Sequence, residues 1–136
     1  GGDVPNLPEK GLQQYRLLHQ AIQQGWLKAA HDLSEGGFAV ALAEMALAGR
    51  LGTQVTLPAS GLTAVEQLFS ESNGRLLLEV SPMHAGALEQ HFSAYPLVCV
   101  GMVTEAPMIR IIKDGETLVE LTVEQAVRAW KGESKD

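Results

Sequence analysis

Cysteine is almost missing from this 136-residue chain. Cys99 stands alone, so neither an internal disulfide nor a cysteine-based metal site can be built. A reducing compartment, and hence a cytoplasmic location, is the expectation. Aromatic residues make up only 5%, which leaves few rings to fill a core. Positive charge is short as well: 10 Lys and Arg face 16 Asp and Glu, for a net charge of −6. A deficit of that sign excludes a basic nucleic-acid footprint and docking on anionic lipid. No run of about 18 uninterrupted apolar residues exists, so no helix is expected to cross a membrane.

Several catalytic signatures are missing too. His19, His31, His84 and His91 are scattered, with no His-x-x-x-His pair and no His-Glu-x-x-His helix. There is no Gly-x-Ser-x-Gly elbow. Neither a Gly-Lys-Ser/Thr phosphate loop nor a Gly-x-Gly-x-x-Gly fingerprint is present. No metal ligand and no catalytic residue follows from these residues.

What is there suits a globular fold: 46% hydrophobic and 19% charged residues, with 14 glycines. The length fits one domain over residues 1–136. Gly1-Gly2 in place of a methionine suggests either a tag remnant or a piece cut from a longer protein. Leu12, Tyr15, Leu18 and Ile22 recur at helical spacing within 9–24. A strand is expected over 26–33. Residues 38–48 are apolar nearly all round, broken by Glu44, which predicts a buried helix ended by Gly49. A strand follows at 54–57. Thr63-Ala-Val-Glu66 is a capping box that opens a short helix to about Ser70. Residues 75–80 read as a strand covered on both faces. Ser81-Pro82 starts a helix to about Phe92, with the serine as cap. Residues 97–103 read as an apolar strand holding Cys99 as an inert core residue. Strands at 108–112 and 117–121 flank Asp114-Gly115, a hairpin signal. Thr122-Val-Glu-Gln125 caps a last helix to about Lys131. This order predicts an α/β (α+β) fold: a mixed, mostly antiparallel sheet with helices packed on it.

Two polar clusters stand out. In His31-Asp32-Leu33-Ser34-Glu35-Gly36-Gly37, either Asp32 or Ser34 can cap the buried helix. Gly36 and Gly37 would leave its first N–H groups bare, which suits a phosphate. The same residues also suit a plain cap followed by glycines needed for close packing. His31 and Asp32, being adjacent on a strand, should face opposite ways, so a structural role fits His31. Ser70-Glu71-Ser72-Asn73-Gly74-Arg75 reads as a tight turn before a strand, either a ligand-facing edge or a solvated loop.

Taken together, the clusters resemble a known family. Residues Ala30–Ala46, residues Leu68–Val80 and the strand Val100-Gly101-Met102-Val103-Thr104 are similar in order and spacing to the C-terminal domain of phosphoribosylformylglycinamidine synthases. The wider superfamily includes aminoimidazole ribonucleotide synthetase, selenophosphate synthetase, thiamine-monophosphate kinase and a hydrogenase maturation protein. Asp-Leu-Ser-Glu-Gly-Gly followed by Ser-Glu-Ser favours the amidine synthase, and its last C-terminal-type domain. The resemblance implies a ligase of purine biosynthesis. It would convert formylglycinamide ribonucleotide to the amidine with ATP, magnesium and glutamine-derived ammonia. Implied partners are the remaining synthase domains, a glutaminase domain or subunit, and a small accessory subunit. The family's catalytic histidine and most ATP and magnesium ligands lie in other domains, so none is carried over. The chain alone is expected to hold no cofactor and to be inactive. Where relatives use Glu-Ser-Gln against substrate, this chain has Glu71-Ser72-Asn73. The candidate substrate- or phosphate-binding residues are therefore Asp32, Ser34, Gly36, Gly37, Glu71, Ser72 and Asn73. A free-standing nucleotide- or phosphate-binding module of the same fold, or a domain of another superfamily member, is the alternative.

Overall fold

The computed structural model describes residues 10–133. The Gly1–Pro8 lead-in lies outside the described residues. Twelve elements follow in the expected order. They are α1 (Gly11–Gln23), β1 (Leu27–Asp32), α2 (Gly37–Gly49), β2 (Gly52–Thr56), α3 (Ala64–Phe69) and β3 (Leu76–Val80). A 3-10 turn (Pro82–His84) leads into α4 (Ala85–His91), and β4 (Gly101–Thr104), β5 (Met108–Lys113), β6 (Glu116–Thr122) and α5 (Val123–Trp130) complete the chain.

The strands divide into two sheets. β1 and β3 form an antiparallel pair, and β4-β2-β5-β6 form a mixed sheet in which only β2–β5 is parallel. Helix α2 explains the division. Its Phe38, Ala41, Leu42 and Ala46 are buried in one cluster with Val55, Ile109 and Ile111 of the larger sheet. Leu77 of β3 packs on the same cluster, and Glu44 reaches His31 of β1. A helix held between two sheets needs apolar residues on most sides, and α2 has them. Ala41 and Ala46 are small enough to let the layers approach.

A second cluster lies on the other side of the small sheet. Ala21, Leu88 and Phe92 are buried there, with Trp26, Leu78, Val80 and Tyr95 packed around them. Leu77 and Leu78 thus serve opposite faces of β3, as the strand period of two requires. Trp26, His91, Phe92 and Tyr95 meet edge to face in sequence.

Three local expectations need correction. Residues 97–100 are not strand; pairing begins only at Gly101, where β4 lines up against β2. Cys99 is consequently exposed rather than a core residue. Residues 81–92 do not form one helix capped by Ser81. A 3-10 turn comes first, and Ser81 makes no side-chain cap bond; the His84 N–H, a donor that a cap would serve, goes to the Ser81 carbonyl at 2.9 Å instead. Helix α2 does end on Gly49 as expected, and Arg50 after it takes the left-handed conformation at φ 54°. The hairpin is as read: Asp114 and Gly115 both have positive φ, at 51° and 84°, as a type I′ turn demands.

Candidate functional site

Antiparallel pairing of β1 with β3 sets Asp32 opposite Leu76. The segment leaving β1 and the segment entering β3 must then emerge at the same end of the sheet. The Leu33 N–H donates to the Arg75 carbonyl at 3.1 Å, continuing the ladder past the strands. The two polar clusters, far apart in sequence, therefore form one junction.

The start of α2 is built differently from the expectation. Gly36 is its N-cap, with φ 76° and no side-chain cap bond. Neither Asp32 nor Ser34 caps the helix; only the Ser34 carbonyl takes part, accepting from the Gly37 N–H at 3.1 Å. That bond closes residues 34–37 into a turn. The N-terminus is also not bare. The Gly36 N–H donates to Glu71 Oε1 at 2.9 Å, across 35 residues. A carboxylate there complements the positive end of the helix dipole. Glu71 is the contact that sequence reasoning missed. Only the β1–β3 register, which places its turn over the helix start, could have signalled it.

The two glycines do different things. A Cβ on Gly37 would lie 2.8 Å from the Ser70 carbonyl oxygen and 2.9 Å from the Phe69 carbonyl carbon, at φ +61°. Those obstacles are backbone and cannot step aside. A Cβ on Gly36 would meet only the Val40 side chain. Gly37 is thus the point where α2 rests on the end of α3.

The opposing turn is braced by two side chains. Arg75 donates through one terminal guanidinium nitrogen to the Ser70 carbonyl at 3.2 Å and to Ser70 Oγ at 2.9 Å. Gln14 of α1 donates to the Gly74 carbonyl at 2.9 Å. Gly74 itself takes a positive φ of 77°. Of the candidate residues, Asp32, Ser34, Glu71, Ser72 and Asn73 are exposed; Gly36 is bonded to Glu71, and Gly37 to the Ser34 carbonyl. Asp32 Oδ1 lies 3.6 Å from His31 Nδ1. His31 turns inward as the strand alternation requires, with Nε2 2.8 Å from Glu44 Oε2 and Nδ1 2.6 Å from the Asp32 carbonyl oxygen.

No group of three or more metal-ligating side chains occurs among the described residues. Among the described residues, a shifted acidity lies outside the junction, at Glu66. The Thr63 backbone N–H, then the Thr63 hydroxyl, hold its carboxyl below the usual 4.5. No described helix is long and apolar enough to cross a membrane.

The family model for the C-terminal domain of AIR synthase related proteins matches residues 3–114, and the chain belongs to that family. More particularly, it is 36% identical over 127 residues to the phosphoribosylformylglycinamidine synthase subunit PurL of Synechocystis, covering 90% of this chain and 16% of that protein. It is 40% identical over 116 residues to the PurL subunit of Synechococcus elongatus, covering 82% and 15%. The chain thus spans about one-sixth of the curated relatives it matches. Among solved structures, Thermotoga maritima PurL complexed with ATP aligns at a TM-score of 0.75 and 25% identity, over 90% of this chain and 22% of that one. The PurLQS structure of the same organism aligns at a TM-score of 0.77 and 24% identity, over 93% and 22%.

Proposed function

We propose that this chain is the last C-terminal-type domain of a phosphoribosylformylglycinamidine synthase. The carrying observation is its identity of 36% and 40% to two PurL subunits over most of its own length but only 16% and 15% of theirs. The reaction of the whole enzyme converts formylglycinamide ribonucleotide to the amidine in purine biosynthesis. ATP activates the amide oxygen, ammonia attacks the carbon, and phosphate leaves; magnesium neutralises the transferring charge. Ammonia comes from a glutaminase domain or subunit, with a small accessory subunit in the assembly. The location is cytoplasmic.

The domain's own contribution is a wall. Asp32 and Ser34 on one segment, and Ser72 and Asn73 on the other, face outward beside the α2 start, which supports contact with a ligand held by neighbouring domains. Gly36, Gly37 and Glu71 hold that wall together. A free phosphate at the helix start would meet the Glu71 carboxylate already bonded to Gly36. Like charges at such a distance repel, so the wall suits a ligand's amide and hydroxyl donors. The test is to assay the chain alone, and the chain joined to the preceding domains of its synthase. Amidine formation from formylglycinamide ribonucleotide, ATP, magnesium and ammonia is expected only from the joined protein. Magnesium-dependent ATP hydrolysis by the chain alone, at enzyme-like rates, would contradict the assignment.

A further inference from the structure

Two helices carry apolar stripes that face outward. On α1, Leu17, Leu18 and Ala21 serve the cluster around Phe92. Leu12, Tyr15, His19 and Ile22 lie on a different face, at steps of three, four and three, the spacing of a coiled-coil seam. Leu12, Tyr15 and Ile22 are each about half exposed or more. On α3, Gln67 and Leu68 are buried. Leu62, Val65 and Phe69, at steps of three and four, are likewise half exposed or more. Large apolar side chains gathered into stripes mark an interaction surface; scattered ones do not.

The stripes differ in charge. Residues 10–28 hold Lys10, Arg16 and Lys28 and no Asp or Glu. Neither Lys10 nor Arg16 forms an ion pair among the described residues. Residues 29–74 hold Asp32, Glu35, Glu44, Glu66 and Glu71, and their one Lys or Arg, Arg50, lies 3.7 Å from Glu124. Around the α3 stripe, Glu66, Glu71 and, across the junction, Asp32 and Glu35 outnumber Arg75 and Lys113, which donate to the Ser70 and Leu62 carbonyls. Both stripes run to the same turn. Gln14 of α1 donates to the Gly74 carbonyl, and Arg75 holds Ser70 at the end of α3.

We propose that these stripes pair two copies of the chain about a two-fold axis, with α1 of each copy laid on α3 of the other. A two-fold contact is self-complementary, so each copy must offer what the other receives. A basic apolar stripe and an acidic apolar stripe on one molecule meet that condition. Helix α1 against a second α1 would instead set Lys10 and Arg16 against their own kind. The stripes are short, since the 13 residues of α1 span only about 20 Å, so the contact is of the small, weak class. The pairing needs only this chain and stands whether or not the synthase assignment does.

The test is sedimentation velocity of the chain over a concentration series reaching about 1 mM, the range in which a weak contact fills. The mass should rise from 14.6 kDa toward twice that value and stop there. Tyr15→Glu and Val65→Glu each bring a carboxylate into the contact and should each raise the dissociation constant about tenfold or more. Both side chains are exposed in the single chain, so the melting temperature of the dilute variants should hold. Salt near 1 M, where charges are screened beyond about 3 Å, should weaken the native dimer as well. A chain that stays monomeric throughout would overturn the proposal. So would a dimer that survives Val65→Glu, which would set α1 on α1, or one that survives Tyr15→Glu, which would set α3 on α3. Growth beyond two copies would mean that the contact does not close, and would overturn it equally.

Discussion

Three helices of this domain begin in two contrasting ways. Helices α3 and α5 open on complete capping boxes, Thr63 with Glu66 and Thr122 with Gln125, each closed within four residues. Helix α2 opens on two left-handed glycines with no local cap, and its carboxylate partner arrives from Glu71 on another segment. The first two starts are self-sufficient. The third depends on the β1–β3 register and on the seating of Gly37 against α3. The buried helix, which joins both sheets, is therefore the one whose start is held by tertiary structure, and that start forms the candidate ligand wall.

Substitution at Gly37 should break this contrast most severely. Gly37→Val puts a branched side chain against the Ser70 and Phe69 backbone at a positive φ. A loss of about 3 kcal/mol or more is expected in urea denaturation, combining overpacking with backbone strain. Gly36→Ala should cost clearly less, since only the Val40 side chain stands in its way. Comparable losses at both positions would erase the distinction drawn between them. Next comes Thr122→Ala, which removes a local cap and should cost about 1 kcal/mol. Its effect should stay within α5, seen as faster amide exchange of that helix alone. Glu71→Ala should cost a similar amount, roughly 1 kcal/mol, yet disturb residues on both α2 and the 70–75 turn. Purely local disturbance would show that the long-range cap carries no weight.

The smallest effect is one of pH. The Glu66 carboxyl is held below 4.5 in the fold, so its ionised form stabilises α3 above that value. The contribution is fully present above the unfolded pKa and fades as pH falls through the lower folded one. The stability difference between the native chain and Glu66→Gln should therefore be constant above about pH 5.5 and shrink below 4.5. A difference that grows on acidification would have the wrong sign.

This contrast also explains what was legible beforehand. Capping boxes, the Asp114-Gly115 hairpin and the all-apolar α2 are local patterns, and each appears where the sequence placed it. The element order followed from them. The edge was misread at 97–100, because apolar composition says nothing of whether a partner strand is in reach; β4 pairs only from Gly101. The candidate site was legible as two clusters but not as one junction. Asp32 and Ser34 looked like caps since cap preference is local, whereas the Glu71 contact spans 35 residues. Gln67 reads as an ordinary helix residue, and only burial reveals its unpaired oxygen.

The central claim is that Glu71 holds the start of α2. The most direct measurement is hydrogen exchange at the Gly36 amide in the native chain, in Glu71→Gln and in Glu71→Ala. Protection should be strong in the first, largely kept in the second, which retains an acceptor oxygen, and lost in the third. Equal protection of Gly36 in all three would contradict the account, and would return the helix start to the open anion site that the glycines first suggested.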